Sequence, residues 1–282
     1  DLTPFSKFEI KSDKAHQELQ RICTANIKNE IGKCTYTHML NSDGGIETDL
    51  TVVCLDKDHF RIISSAATRE RDKFHINKHL SKDVELKDVT DNYCVFGLFG
   101  PKSRDLIKSI SKDNFDNDNF KFGRAKNITI NGIQIWAQRL SYVGELGYEL
   151  YVKFDDAKKI YELLIEKGKD FNLSNCGMHA MDIMRMESGF LHWGHDISPE
   201  ENQYEAKLDF TISYKNYISP LVYTNFDKNI FLNYEGLLEF YIYNKSDISN
   251  LYFEKKNKIY YISKISNILD KEQNDINYPN IK

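Results

Sequence analysis

Two short segments hold residues whose types and spacing could do chemistry. The first is His38-Met39-Leu40-Asn41-Ser42-Asp43-Gly44-Gly45-Ile46-Glu47-Thr48-Asp49-Leu50. Its Asn, Ser, Asp and paired glycines suit a turn with positive φ, and Asp49 falls where the next strand begins. Rigid backbone can aim a carboxylate at that place into a cleft; the plainer alternative is a solvated Asp at a strand edge. The second segment is Ser141-Tyr142-Val143-Gly144-Glu145-Leu146-Gly147-Tyr148-Glu149-Leu150-Tyr151. Its glycines mark a tight loop entering a strand, in which Glu149 points opposite to Tyr148 and Leu150. On a buried face Glu149 needs donors, and a ligand with paired N–H groups would supply them. On an exposed hairpin it needs none.

Other signatures are missing. There is no G-x-x-x-x-G-K-[ST] and no G-x-G-x-x-G; Gly97 with Gly100, and Gly144 with Gly147, are only G-x-x-G pairs. Neither a G-x-S-x-G elbow nor an H-E-x-x-H zinc helix occurs. His192 and His195 flank Trp193-Gly194 and precede Asp196, which predicts a hydrogen-bonded structural role and no metal. The five cysteines, Cys23, Cys34, Cys54, Cys94 and Cys176, are odd in number and form no C-x-x-C. Free thiols in a reducing, cytoplasmic compartment are expected.

The elements that must position these segments alternate between helix and strand. Ser12 caps a predicted helix running to about Ile27, with Leu19, Ile22, Cys23 and Ile27 on one face. Strands are predicted at Leu50–Leu55 and Phe60–Ser64, and an amphipathic helix over Thr68–Leu80 with Phe74 and Leu80 inward. A strand at Cys94–Phe99 leads through Gly100-Pro101 into a helix at Lys102–Ile110. Asn131-Gly132 joins a hairpin of Ile128–Ile130 and Ile133–Gln138. Strand Tyr148–Phe154, helix Asp156–Glu166 with Gly168 near its C-terminal cap, and helix Met178–Ser188 follow. Hairpin spacings of this kind predict α+β rather than a doubly wound parallel sheet.

Composition bounds the rest. The chain has 282 residues, 41% hydrophobic and 28% charged, which supports a buried core. Lys plus Arg is 38 against Asp plus Glu 42, a net charge of −4, which excludes a strongly basic nucleic-acid binder. No apolar run approaches the roughly 20 residues of a membrane helix. The opening Asp1-Leu2-Thr3-Pro4 reads as neither a signal nor a transit peptide, and the missing Met suggests a piece of something longer. Character changes near residue 210. Residues 211–282 lack Ala, Arg and Met, contain Gly236 alone, and hold ten of the seventeen tyrosines. This is either a β-rich terminal domain or an eroded or out-of-frame tail, with Asp270–Lys282 expected to be disordered.

The two segments, in this order, resemble the folate-binding aminomethyltransferases. That family includes the glycine cleavage T-protein and the C-terminal halves of dimethylglycine and sarcosine dehydrogenases. Leu40-Asn41-Ser42-Asp43-Gly44-Gly45-Ile46 with Asp49-Leu50 is similar to L-N-x-x-G-G-[IV]-x-x-D-L, and Tyr142–Glu149 to Y-[TV]-G-E-x-G-x-E. Asp1–Phe8, Leu98-Phe99-Gly100-Pro101, Arg185–Gly189 and Trp193-Gly194-His195-Asp196 agree too, so the resemblance covers residues 1–210. It is nearest to the dehydrogenase-fused branch. Met181 stands where T-proteins carry an Arg that holds the folate tail.

The resemblance implies roles. Asp49 would be the essential carboxylate beside the folate nitrogen that accepts the one-carbon unit. Glu149 would pair with the pterin N–H edge, Tyr142 would line the pocket, and Tyr151 and Ser65 would be secondary wall residues. Arg185 and Glu187 read as a structural helix pair. The implied cofactor is tetrahydrofolate, with no flavin in this chain. The implied partners are a small-molecule amine donor and a flavin-dependent dehydrogenase domain or subunit, with no nucleic acid and no membrane. The implied activity is capture of a one-carbon unit to give 5,10-methylenetetrahydrofolate. The implied fold is α+β, with residues 1–54 plus 136–209 as the folate lobe and 55–135 as a ferredoxin-like insert. A divergent tail over 210–282 would stand where the family has a β-barrel; neither the Phe-Ile-Gly-Lys motif nor the S-G-x-x-S region of that barrel follows Phe210. Three other readings stay open: a folate-binding module without turnover, an assembly protein, and a nonfunctional fragment of a split gene. The assembly relatives' K-G-C-Y-x-G-Q-E motif is absent.

Overall fold

The computed structural model describes residues 1–213 and, beyond them, two short paired strands, β10 (Tyr252–Lys255) and β11 (Lys258–Tyr261). The fold is α+β, as the hairpin spacings predict. The first antiparallel sheet holds β1 (Ser6–Lys11), β2 (Cys34–Leu40), β3 (Ile46–Asp56), β4 (His59–Ser64) and β5 (Leu86–Asp88), in the order β2-β3-β4-β1-β5. Helices α1 (Ala15–Ile22) and α2 (Arg69–His79) connect its strands. The second antiparallel sheet holds β6 (Tyr93–Phe99), β7 (Ala125–Ile130), β8 (Ile133–Gln138) and β9 (Gly147–Lys153), in the order β6-β9-β8-β7. It carries α3 (Ser103–Ile110) and α4 (Phe154–Gly168), and α5 (Met178–Glu187) follows.

The period of two along each strand explains two separate cores. On the first sheet Phe8, Ile10, Leu50, Val52, Phe60 and Ile62 point toward Leu19, Ile22 and Ile76 of the helices. On the second, Leu98, Ile135, Tyr148, Leu150 and Val152 point toward Leu106, Ile107, Ile160 and Leu164. Each fully buried Leu or Ile stabilises by roughly 1.5–3 kcal/mol. The opposite faces of the two sheets meet each other. Cys34 and Val53 from the first touch Ala125 from the second, with Ile63 and Trp136 between them. Leu2, Val95 and Tyr151 extend the same layer.

Two expectations are corrected. The first helix stops at Ile22, because Thr24 leaves it to give its backbone N–H to His38 O in β2 at 3.0 Å. Phe74 is 71% exposed; six residues before Leu80, it is turned about 120° away from the face that Ile76 and Leu80 bury. The fourth helix ends at Gly168, next to its cap as expected; a 3₁₀ turn over Lys169–Phe171 follows, and Asn172 closes it at φ 57°. β3 and β4 pair along their length, and the change of sheet lies between β5 and β6. The expectations for the barrel region and for disorder over Asp270–Lys282 lie outside the described residues.

Candidate functional site

Asp49 sits on β3 with the face that looks toward the second sheet, three residues past the turn that Asn41 builds. Asn41 Oδ1 accepts the N–H groups of Asp43 and Gly45, each at 2.9 Å. Its Nδ2 donates to Pro199 O at 2.9 Å. The register of the hairpin sets His38 directly across from Asp49. The Asp49 side chain is 17% exposed, and His38 Nε2 lies 3.9 Å from its Oδ1. Burial pushes the Asp49 carboxyl up to about 7; the hydroxyl of Tyr36, which bonds it, pulls the other way, and the charge of Asp72 adds to the rise.

A buried relay stands behind this carboxylate. Gln203 Nε2 donates to His38 Nδ1 at 2.9 Å and lies 2.7 Å from Thr211 Oγ1, whose own proton goes to Leu208 O at 2.6 Å. Burial lowers His38 to about 3, so the ring is neutral. With Nδ1 accepting, Nε2 must carry the proton, and it faces Tyr36 Oη at 3.3 Å. Tyr36 passes its own hydroxyl proton toward Asp49. Burial, together with the Asp49 charge, holds that phenol far above its ordinary range.

Glu149 occupies the second sheet. On β9 it lies between Gly97 of β6 and Gln138 of β8, and it points away from the core that Tyr148 and Leu150 fill. Tyr151 donates its hydroxyl to Glu149 Oε2 at 3.0 Å. Burial pushes Glu149 up to about 7, with the Tyr151 bond opposing. Arg61 of β4 lies over the Tyr151 ring at 5.5 Å and over Tyr93 at 4.4 Å. Both carboxylates act on residues of one face of β2. Cys34 feels the Glu149 charge, Tyr36 bonds Asp49, and alternate residues on a strand stand about 7 Å apart.

The other predicted residues divide. Tyr142 belongs with Asp49, since the Asp49 charge contributes to its rise to about 12, behind burial as the main cause. Its hydroxyl donates to Leu191 O at 2.7 Å, and its ring stacks on Phe190 at 6.2 Å. Gly144 in the same loop, at φ 72°, leaves no room for a Cβ beside Ser188 at the end of α5. The Ser65 hydroxyl accepts from Ala67 N–H at 3.3 Å and caps a 3₁₀ turn. Arg185 is buried and pairs with Asp182 at 2.7 Å and with Asp196, while Glu187 is exposed. The helix pair read from sequence is therefore replaced by these two aspartates. Among the described residues no cluster of three metal-ligating side chains forms. The rings of His192 and His195 lie 4.2 Å apart, and Asp196 accepts from His192 N–H.

The sequence reading quotes His38 without a role and does not reach Tyr36, Gln138 or Gln203. Pairing back through the Gly-Gly turn assigns His38 its place opposite Asp49, and strand alternation leads from it to Tyr36. Gln203 and Thr211 carry no local signal.

An α+β chain with two facing antiparallel sheets and a carboxylate on each defines a class. Residues 1–216 match the family model of the GCVT N-terminal domain, and the chain belongs to that family. It is 37% identical over 214 residues to 4-methylaminobutanoate oxidase (formaldehyde-forming) of Paenarthrobacter nicotinovorans, covering 76% of this chain and 26% of that protein. It is 33% identical to the mitochondrial dimethylglycine dehydrogenase of Rattus norvegicus, covering 75% and 25%. It is 31% identical to an aminomethyltransferase of Halothermothrix orenii, covering 85% and 64%. The chain thus spans about a quarter of the length of the first two relatives. The fold is that of the glycine cleavage system aminomethyltransferase T of Bartonella henselae, with a TM-score of 0.66 at 20% identity over 76% of this chain and 56% of that one.

Proposed function

We propose that this chain binds tetrahydrofolate and captures a one-carbon unit from a small N-methyl amine or aminomethyl donor, giving 5,10-methylenetetrahydrofolate. A flavin-dependent dehydrogenase domain or subunit would generate the donor, as part of a dimethylglycine or sarcosine dehydrogenase-like system. The observation that carries this reading is the pair of half-buried carboxylates, one on each facing sheet, each raised to about 7. Each is costly to bury as an anion without donors. Among the described residues Glu149 receives one donor, Tyr151 on Oε2, which leaves Oε1 and a further lone pair of Oε2 for paired N–H groups such as an aminopterin edge presents. The residues therefore fit the group.

When bound, tetrahydrofolate supplies two nitrogens that share the transferred carbon. Glu149 fixes the orientation of the ring by accepting from its donors. Asp49 Oδ takes up the proton that the departing amine does not carry away. A carboxyl near 7 is well matched to that task at neutral pH. Neutral His38, through Tyr36, holds Asp49 in one orientation. The apolar layer around Val53, Ile63 and Trp136 keeps water out, and holding two reactants together lowers the barrier further.

Thermal unfolding with and without tetrahydrofolate tests the reading. A stabilisation of about 2.7 kcal/mol is expected at a hundredfold excess over Kd, and it should vanish in Glu149→Ala. A folded wild-type protein that shows no shift defeats the reading. Asp49→Asn should keep the shift while slowing methylenetetrahydrofolate formation by about 100-fold or more. Equal rates in Asp49→Asn and wild type would leave binding without turnover by this carboxylate.

A further inference from the structure

Gln138 is fully buried, yet neither its amide nitrogen nor its carbonyl oxygen has a hydrogen-bond partner. Trp136 Nε1, two residues earlier on β8, is buried and unpartnered as well. Buried polar side chains are ordinarily satisfied, and a carboxamide that misses both of its partners demands an explanation. Its position supplies one. Ile135 and Ala137 fill the second core, so Trp136 and Gln138 face the other way, into the layer between the sheets. Gln138 stands directly opposite Glu149, and Trp136 opposite Tyr151. Directly opposed side chains on one sheet face begin about 5 Å apart.

We propose that Gln138 is a second recognition residue for the heterocycle that Glu149 binds, donating Nε2–H to the ring acceptor beside the pair of donors that Glu149 takes. This rests on the folate reading above and deepens it to one class of ligand, the 2-amino-4-oxopyrimidine. In such a ring the 2-amino group and N3–H are adjacent donors. They are flanked by N1 on one side and by the C4 oxygen on the other, and both of these are acceptors. With the ring turned so that its C4 oxygen lies beside Gln138, the group next to the Glu149 contact is an acceptor. A carboxamide can meet it, because the amide nitrogen is a donor. A carboxylate in the same place could not, because it is acceptor-only when ionised. The free protein thus holds an unsatisfied amide in the place where the ligand would satisfy it.

The test uses the full chain, with tetrahydrofolate as the probe, in calorimetric titration and in thermal unfolding without ligand. Gln138→Met removes both polar atoms at similar volume. It should bind at least about tenfold more weakly, and its ligand-free melting temperature should stay the same or rise, because two orphaned atoms are gone. Gln138→Glu should bind more weakly still above pH 7. If wild type binds, Glu149→Ala does not, and Gln138→Met binds as wild type, the Gln138 proposal fails and the folate reading stands. A Gln138→Met protein that loses affinity together with melting temperature would mark a structural role and overturn the proposal. No binding by wild type would defeat the folate reading and this inference with it.

Discussion

Asp49 and Glu149 owe their raised pKa values first to burial, and this fixes the sign of their effect on stability. The folded form binds protons more tightly than the unfolded form, so these two groups are best tolerated at low pH. Their cost appears as pH rises from about 4 to about 7 and is complete above that. Glu149→Gln and Asp49→Asn should therefore each gain stability relative to wild type across that window, on the order of 1–3 kcal/mol. Denaturant unfolding at a series of pH values reads this difference; a constant gap at all pH values would contradict it. His38 acts in the opposite sense, since its lowered value penalises the folded state as pH falls below its unfolded pKa. Comparing each variant with wild type removes that contribution. The two neighbours of Asp49 should pull its titration in opposite directions. Tyr36 stabilises the Asp49 anion and the Asp72 charge opposes it. Tyr36→Phe should move the acidic limb of the capture rate to higher pH, and Asp72→Asn to lower pH, each by up to about one pH unit. Limbs that coincide in both variants would show that Asp49 does not set the profile.

The β2–β3 hairpin is the element that positions Asp49, and it is largely legible in the sequence. Paired glycines after Asn41 mark its turn, and alternation along β3 separates Asp49 from the core residues Leu50 and Val52. The same reading located the Asn131-Gly132 hairpin, where Asn131 and Gly132 both take positive φ. Long-range facts were not legible. Nothing local announces that Gln203 and Thr211 fold back onto His38, or that Pro199 closes over the turn. Helix ends escape periodicity where tertiary bonds override it, as at Thr24, and the exposed Phe74 shows that phase on the helix, not aromatic character, decides which side chain is buried. The Pro199 contact makes a sharp prediction. A Cβ at Gly45 would stand 1.7 Å from Pro199 O, whereas one at Gly132 would meet nothing within 4 Å. Gly132→Ala should cost about 1 kcal/mol, from backbone conformation alone. Gly45→Ala should cost about 2–4 kcal/mol, because backbone must move, and should also weaken the Asn41–Pro199 bond that steadies the hairpin. Equal costs by denaturant unfolding would show that the 191–208 segment does not brace the turn.

At the scale of the whole molecule, each sheet has its own core on its outer face, and a thin shared layer joins them. Cys34, Val53, Ile63, Ala125, Trp136 and Tyr151 make up much of that layer. The two carboxylates lie at the same junction, Asp49 on the first sheet and Glu149 on the second. A ligand held by both would therefore tie two separately cored sheets together. Binding free energy adds to the stability of every opening that breaks the site. Openings that separate the sheets, or that unfold either one locally, should all become rarer. Hydrogen exchange of the full chain with and without tetrahydrofolate should accordingly show slower exchange in β2 and β3 and, in the same sample, in β8 and β9. The effect should saturate with a single Kd for both sheets, and Glu149→Ala should abolish it in both, although β2 and β3 lack that residue. Protection confined to β8 and β9 would mean that Glu149 binds a ligand which never reaches Asp49, and a carboxylate out of reach of the ligand could not take its proton.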